Sequence, residues 1–430
     1  MENRYDKYKD SGIAWIGEIP EHWEVCSIKQ IMKNKSIKGF PDETVLSLYR
    51  DFGVIPKDSR DDNHNVTSED TSNYKLVENG DFVINKMKAW QGSMAISDFR
   101  GIISPAYYIC KIFSPKVVRK FIHYLLRNES YKAEYMRLST GMRIGQWDLN
   151  IDDFLQISTI IPSLSEQQSI ATYLDQKCSE IDELITLQEE MITKLQSYKQ
   201  SVITEAVTKG LDKNVTLKDS GIEWIGEIPE HWEVRRLKHL GKNYNGLTYS
   251  PNDICGSEDG ILVLRSSNIK NNKLCFDDNV YVNKEIPQKL IVNKGDILIC
   301  SRNGSAELIG KAAFIEFQMI ATFGAFMMIF KGTSNIYHKY LFYIVTSCIS
   351  QYKWLFTTAT INQLTSSMLG EIFAPFINNN LEQQSIADYL DQKCSEIDEL
   401  ISIKQQKIEK LKDYKKSLIF ECVTGKRKVS

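Results

Sequence analysis

The sequence has no Cys-x-x-Cys pair, although it contains nine cysteines in 430 residues. The cysteines are scattered through apolar stretches such as "GDILIC" and "YYIC", which is typical of reduced core thiols in a cytosolic protein. No apolar run approaches the ~18 to 20 residues that a membrane span needs, and no signal peptide opens the chain. We therefore expect a cytoplasmic protein.

The short motifs of nucleotide-binding and hydrolytic enzymes are also missing. There is no G-x-G-x-x-G after a strand, no G-x-x-x-x-G-K-[ST], no H-E-x-x-H and no G-x-S-x-G. His22 and His231 each have an adjacent Glu but no second His or Cys at ligand spacing, which favours a structural role. We expect no catalytic residue and no metal site in this chain, which would then bind a ligand rather than convert it.

What the sequence does contain is an internal repeat. Residues 9–25, "KDSGIAWIGEIPEHWEV", return at 218–234 with one substitution, and residues 166–185, "EQQSIATYLDQKCSEIDELI", return with one substitution at 382–401. The offsets are 218 − 9 = 209 and 382 − 166 = 216 residues. We call the first stretch the leading motif and the second the trailing segment. Two such pairs in the same order predict two tandem units of one plan.

The trailing segments have the spacing of long helices. Apolar residues from Ile170 to Val202 recur three or four apart, and the second copy has apolar residues at the matching positions. A helix of about 40 residues is ~60 Å long and cannot cover its apolar stripe alone, so the other copy is the expected partner. The predicted fold class is α+β, with two globular domains separated by two long antiparallel helices and related by an internal pseudo-twofold repeat.

This plan divides the chain into six segments. The predicted boundaries are 1–25 for the leading motif, 26–160 for a first variable domain, 161–210 for the first long helix, 211–234 for the repeated leading motif, 235–375 for a second variable domain, and 376–430 for the second long helix. The variable domains share little beyond "GDFVI" (residues 80–84) and "GDILI" (residues 295–299), each of which predicts a turn that opens a buried strand.

The variable domains are mildly basic, whereas the first helix is acidic. Residues 26–160 hold 19 Lys and Arg against 16 Asp and Glu, residues 235–375 hold 15 against 10, and residues 161–210 hold 4 against 8. This distribution favours domains that contact phosphate and helices that do not. The same domains contain five polar clusters: "NKMKAWQGS", "STGMRIGQWDL", "RSSNIKNNK", "SRNGS" and "TTATINQLTSS".

Each cluster alone is compatible with an ordinary polar surface loop. Five of them on two matching domains instead favour nucleic-acid contacts, since Lys, Arg, Asn and Gln are the side chains that bind phosphates and base edges. The candidate DNA-binding residues are Lys86, Lys88, Arg143, Gln146, Arg265, Asn268, Arg302, Asn362 and Gln363.

With these motifs in place, the chain resembles the DNA specificity subunit of type I restriction-modification enzymes. The resemblance rests on both leading motifs, both trailing segments, and the stretches that begin "GDFVINKMKAWQGS" and "GDILICSRNGS". It implies two target-recognition domains that each read one half of a bipartite, asymmetric double-stranded DNA site, with helices that space them and dock the methyltransferase subunits.

The resemblance also implies partners and a source. The partners would be two methyltransferase subunits and two restriction (motor-nuclease) subunits, in a bacterial or archaeal cytoplasm. No cofactor is expected in this chain, because S-adenosylmethionine, ATP and Mg would belong to the partner subunits.

Two other interpretations stay open from the sequence. One is a non-catalytic coiled-coil assembly adaptor whose variable domains bind protein, which predicts no salt-dependent affinity for DNA. The other is a self-contained nuclease or methyltransferase, which requires a catalytic motif that the sequence does not show.

Overall fold

The computed structural model of the chain describes residues 4–50, 52–60, 67–68, 70–141, 147–356 and 362–429. In this part of the chain, no helix is both long and apolar enough to cross a membrane. The chain forms two compact units, which we call unit 1 (Met1–Glu189 with Gln405–Ser430) and unit 2 (Glu190–Lys404).

Among its described residues, unit 1 has fourteen short strands interleaved with three short helices. The strands are β1 (Tyr8–Asp10), β2 (Glu18–Pro20), β3 (Glu24–Ser27), β4 (Met32–Lys35), β5 (Leu46–Tyr49), β6 (Gly53–Pro56), β7 (Lys75–Val77), β8 (Phe82–Asn85), β9 (Met94–Ile96), β10 (Gly101–Ile103), β11 (Tyr107–Ile112), β12 (Ser139–Thr140), β13 (Asp148–Leu149) and β14 (Ser158–Ile161). The helices are α1 (Arg119–Leu126), α2 (Glu129–Leu138), α3 (Ile151–Gln156) and then the long α4 (Leu164–Lys209).

The core of unit 1 lies on both faces of a four-stranded antiparallel sheet with the order β4-β11-β8-β9. Alternate side chains of β8 point to opposite faces, because a strand has a period of two. Phe82 and Ile84 join the core that contains the helices, whereas Val83 joins a smaller core with β5 and β6. Burial on both faces explains why residues 82–84 of "GDFVI" are all apolar, and it confirms the predicted buried strand.

Unit 2 has a similar but not identical order of elements in its described residues. Its strands are β15 (Leu217–Asp219), β16 (Glu227–Pro229), β17 (Glu233–Arg236), β18 (Gly241–Asn245), β19 (Ile254–Cys255), β20 (Ile261–Leu264), β21 (Ile269–Lys270), β22 (Lys273–Leu274), β23 (Val280–Val282), β24 (Ile297–Cys300), β25 (Ala312–Phe314), β26 (Ala321–Phe323), β27 (Met327–Gly332) and β28 (Phe373–Phe376). Its helices are α5 (His338–Gln351), α6 (Lys353–Phe356), α7 (Ser366–Glu371) and the long α8 (Asn380–Val423).

The sheet β18-β27-β24-β25 of unit 2 corresponds to the central sheet of unit 1. In β24, Ile297 and Ile299 face the core that contains α5, whereas Leu298 and Cys300 face a second core built on the sheet β19-β23-β20-β26. All nine cysteines lie among the described residues and are free thiols, six of them buried.

The long helices confirm the helical prediction for the trailing segments. α4 has 46 residues and α8 has 44, and each begins in one unit and ends in the other. In unit 1, the Lys415 Nζ lies 2.6 Å from the Asp182 Oδ2. Glu189, which follows Asp182 in α4, lines a groove together with Gln405, which precedes Lys415 in α8. The two helices are therefore antiparallel in unit 1.

In unit 2 the matching contact joins Lys199 to Asp398, at 2.7 Å. The two pairs are related by the offset of the repeat, since 398 − 182 and 415 − 199 both equal 216. Not every predicted stripe residue is buried, because Leu184 and Tyr198 are 42% and 59% exposed. The stripe is wider than the seam between two helices, so part of it remains uncovered.

Candidate nucleic-acid interface

In unit 1, the two predicted polar clusters come together at one end of the central sheet. The cluster at 85–93 begins at the last residue of β8, and the centre of the Trp90 ring lies 5.1 Å from that of Trp147, which belongs to the second cluster. We name the surface formed by residues 50, 52, 85–93 and 147 the loop face of unit 1. The structure thus joins two segments that lie about fifty residues apart in the sequence.

The predicted lysines of this face differ in exposure. Lys86 is half-buried, with its Nζ 4.5 Å from the centre of the Tyr108 ring, whereas Lys88 is exposed. Burial lowers the pKa of the neighbouring Lys75, and the positive charge of Lys86 lowers it further. Arg143 and Gln146 lie outside the described residues.

The loop face of unit 2 occupies the same end of the corresponding sheet, and we define it as residues 301–305, 326 and 362–363. The Nη2 of Arg302 donates a hydrogen bond of 2.7 Å to the Oε1 of Gln363. The Nδ2 of Asn362 donates to the backbone oxygen of Gly304 at 3.3 Å. Three predicted residues from two distant clusters therefore lie side by side, with guanidinium and amide groups at the surface.

The cluster at 265–273 reaches this face through a weak contact, since the Nδ2 of Asn303 donates to the Ser266 Oγ at 3.5 Å. Arg265 is paired with Asp278, with 2.8 Å between its Nη2 and the Oδ2. Asn268 was predicted to contact DNA, but its side chain is fully buried. Its amide donates to the backbone oxygens of Cys275 and Asp278, so it holds its own loop together and does not face a ligand.

Sequence reasoning missed several residues of the loop faces. Arg50 donates through its Nη2 to the Oε1 of Gln91 at 2.5 Å, and Phe52 lies two residues farther on with 57% of its surface exposed. In unit 2, Phe326 is 60% exposed, and its backbone oxygen accepts from the Arg302 amide at 3.1 Å. The sequence signal that could have identified Phe52 and Phe326 is an aromatic residue near a turn glycine, in "YRDFG" and "FGAF".

The leading motif packs on the first turn of a long helix in each unit, and it contributes to the short antiparallel strand pairs β1–β2 and β15–β16. Glu166 accepts from the Trp23 Nε1 at 3.3 Å and lies 2.8 Å from the His22 Nε2. In unit 2, Glu382 accepts from the Trp232 Nε1 at 2.9 Å and lies 3.0 Å from the His231 Nε2.

The histidines are therefore part of this junction, as the sequence predicted. Within the described part of the chain, no group of three or more His, Cys, Asp or Glu side chains is arranged to hold a metal ion. The leading motif and the trailing segment are repeated together because they contact each other. Trp23 and Trp232 are fully buried there.

A second repeated contact, which the sequence did not reveal, ties each variable domain to its helix. The hydroxyl of Tyr124 in α1 donates to the Asp175 Oδ1 at 2.9 Å, and that of Tyr343 in α5 donates to the Asp391 Oδ1 at 2.5 Å. Burial raises the pKa of both tyrosines, and the adjacent carboxylates raise it further, so both remain donors. Each loop face is thus carried by a domain with a fixed position on its helix.

Comparison with known proteins identifies the repeat. The family described as the type I restriction modification DNA specificity domain matches residues 20–196 and 229–413. The chain is 27% identical to the type I restriction enzyme MjaVIII specificity subunit of Methanocaldococcus jannaschii, over 96% of this chain and 94% of that protein. It is 25% identical to the EcoKI specificity subunit of Escherichia coli K12, over 47% of this chain and 44% of that protein.

Two solved structures share the fold. One comes from a study of complex assembly and conformational transition of the type I R-M system, with a TM-score of 0.70 at 14% identity, over 94% of this chain and 98% of that one. The other is the HsdS subunit from Thermoanaerobacter tengcongensis, with a TM-score of 0.51 at 14% identity, over 95% and 98% of the two chains.

Proposed function

The chain belongs to the type I restriction modification DNA specificity family and serves as a DNA specificity subunit, and on that premise we propose that each loop face reads one half of a bipartite DNA target. One observation carries the proposal. The loop faces occupy the same end of the same sheet in both units, yet their side chains differ, with lysines and tryptophans in unit 1 and Arg302, Asn362 and Gln363 in unit 2. Different side chains at equivalent places predict two different half-sites.

The partners follow from the same premise. The complex contains DNA, a methyltransferase subunit and a restriction subunit. We propose two copies of each protein partner, because the leading motif and the trailing segment each occur twice in this chain. This chain contributes recognition and no catalytic group. S-adenosylmethionine, ATP and Mg would bind the partners. The protein-binding adaptor is not favoured, since the matched DNA specificity family spans the whole of both variable domains.

Sequencing the methylated sites of a host that carries this chain with its methyltransferase partner tests the proposal. We expect one bipartite motif whose two halves differ. Purified complex should bind that motif with an affinity that falls steeply as salt rises, because phosphate contacts release counterions. Salt-independent binding, or methylation without a bipartite motif, would support the adaptor instead.

Arg302→Ala and Lys88→Ala should have different effects on DNA binding. Arg302 lies in a network of amide groups suited to a base edge. Its removal should cost about 1 to 3 kcal/mol of DNA-binding free energy and reduce base specificity at one position of the second half-site. Lys88 is exposed on the unit 1 loop face, so its removal should weaken binding to all DNA sequences alike. It should also reduce the slope of log affinity against log salt concentration by about one. Titration of target and random duplexes at several salt concentrations measures both.

Lys111→Ala is the matched control, because Lys111 is exposed near the opposite end of β11 from the loop face. It should leave both affinity and salt slope unchanged. If Arg302→Ala and Lys88→Ala also behave like the wild type, the loop faces are not the DNA-binding surfaces.

Exposed apolar side chains on the helices provide a docking surface in each unit. Leu184, Leu187 and Tyr414 are 42%, 48% and 51% exposed in unit 1, and the residues at matching positions of unit 2 are exposed as well, namely Leu400, Ile403 and Tyr198. An exposed apolar set that occurs once in each unit fits two copies of one partner. We assign it to the methyltransferase subunit, together with the acidic residues of the helices.

Leu187→Asp and Ile403→Asp should each remove one methyltransferase subunit, because a buried unpaired carboxylate disfavours an apolar interface. The mass of the purified complex should fall from two methyltransferase subunits per chain to one, and the double variant should bind none. The charge reversals Glu180→Lys and Glu396→Lys should weaken assembly less, since the two side chains are 45% and 48% exposed. A wild-type complex with a single methyltransferase subunit would contradict the assignment.

A further inference from the structure

Each loop face presents one phenylalanine that is more than half exposed. Phe52 lies in the turn between β5 and β6 and is 57% exposed, and Phe326 lies in the turn before β27 and is 60% exposed. The two residues are not equivalent in the repeat, because Ala106 holds the place before β11 that Phe326 holds before β27. An apolar ring left in water beside polar groups often marks an interaction site.

Phe52 is held in place by its neighbours. The guanidinium carbon of Arg60 lies 4.2 Å from the centre of the Phe52 ring, and the Tyr49 ring lies edge-on at 6.4 Å. The hydrogen bond from Arg50 to Gln91 ties the same turn to the polar cluster of the loop face. The ring is therefore fixed beside this cluster, with one of its faces next to a guanidinium group.

Phe326 is held through its backbone. Its carbonyl oxygen accepts from the amides of Ser301 and Arg302, at 3.0 and 3.1 Å, so the turn is fixed to the end of β24. The guanidinium carbon of Arg302 lies 5.9 Å from the centre of the Phe326 ring, and the same guanidinium donates to Gln363. In both units the exposed ring thus lies beside an arginine at the end of the central sheet.

We propose that Phe52 and Phe326 are specificity-determining residues, and that each contacts the 5-methyl group of a thymine in the major groove of its half-site. This inference rests on the proposed reading of DNA by the loop faces. A phenyl ring has no hydrogen-bonding group, and the thymine methyl is the apolar group that base edges present in the major groove. A wedge between base pairs needs both ring faces, whereas Arg60 already covers one face of Phe52.

Replacing thymine by deoxyuridine tests the contact, because the two bases differ only in that methyl group. The complex of this chain with its methyltransferase subunit is titrated with duplexes of the methylated motif in which single thymines are replaced. One replacement in each half-site should weaken binding by about four-fold, as expected for one methyl-sized apolar group. Phe52→Ala should abolish the uracil effect in the first half-site and retain it in the second, and Phe326→Ala should do the reverse.

Phe113→Ala and Phe317→Ala are matched controls. Phe113 is 50% exposed and follows the end of β11 that is remote from the loop face, and Phe317 is 51% exposed and follows the corresponding remote end of β25. Both variants should retain the wild-type uracil effects. Retention of the unaltered half-site's effect in Phe52→Ala and Phe326→Ala also shows that those variants are folded.

Three results would overturn the proposal: half-sites without thymine, wild-type binding that is insensitive to every uracil, or uracil effects that persist in the phenylalanine variants. A wedge would instead appear as 2-aminopurine fluorescence in the duplex that rises on binding and is lost in Phe52→Ala. If the wild-type complex binds no bipartite motif, the proposed function itself fails. Binding of the motif without a uracil effect rejects only the thymine contacts.

Discussion

Exchanging residues 26–160 for the corresponding segment of another family member will change one half of the methylated motif and leave the other half intact. Each mismatched base pair costs about 1 to 3 kcal/mol, so two altered positions alone would lower affinity for the original site by about 2 to 6 kcal/mol. Methylation of the original motif should disappear, and a hybrid motif should replace it. Sequencing of methylated sites in the host measures both.

The fold makes this exchange feasible because the variable domain begins and ends at one place. β3 leads into it and β14 leads out of it, and these strands pair antiparallel, with Cys26 opposite Thr159. Paired residues of antiparallel strands lie about 4.5 to 5.5 Å apart, so a foreign domain bounded by the same strand pair can replace it without displacing the helices. β17 and β28 form the same junction in unit 2.

The reciprocal exchange of residues 235–375 from the same donor is the control, and it should change only the other half of the motif. If either exchange altered both halves, or neither, the two units would not read DNA independently. Loss of all methylation with an intact complex would show that the recipient's helices help to form the reading surface.

Trp232→Ala should lower the free energy of unfolding of unit 2 by about 3 to 5 kcal/mol, the range for truncation of a fully buried large aromatic residue. The ring packs against Gly210, just beyond the end of α4, and its Nε1 donates to Glu382 in the first turn of α8. One side chain therefore joins the leading motif to both long helices in this unit. Hydrogen exchange of the amides in β17 and in the first turns of α8 measures the loss.

Trp354→Ala is the matched control, because Trp354 belongs to the same unit but is 69% exposed, and its loss should change the exchange of these amides little. Glu382→Gln separates the two contributions of Trp232, since the amide oxygen can still accept from the indole while the negative charge is lost. It should cost much less than Trp232→Ala. Equal hydrogen exchange of these amides in Trp232→Ala and the wild type would mean that the leading motif does not stabilise the contact with the long helices.

The sequence alone determined the long helices of this protein, its internal repeat and two of its buried strands. The spacing of apolar residues in the trailing segments is a local property of a helix, so the repeat predicted both long helices, α4 to within three residues at each end and α8 to within seven. The near-identity of the two leading motifs predicted two equivalent units, and in both units a glutamate, Glu166 or Glu382, contacts the Trp and His side chains of the motif. The apolar residues that follow Gly-Asp in "GDFVI" and "GDILI" predicted buried strands, since a short apolar run after a turn is also a local signal.

Only the tertiary structure decided which polar residues face outward. Asn268 and Arg302 lie in clusters of similar composition, but the Asn268 amide is buried and donates to backbone oxygens of its own loop, whereas Arg302 is exposed beside Gln363. Phe52 and Phe326 are of a residue type usually buried, and only the course of the flanking strands leaves their rings exposed. Contacts between residues far apart in the sequence depend on how strands pair, and composition and periodicity do not encode that pairing.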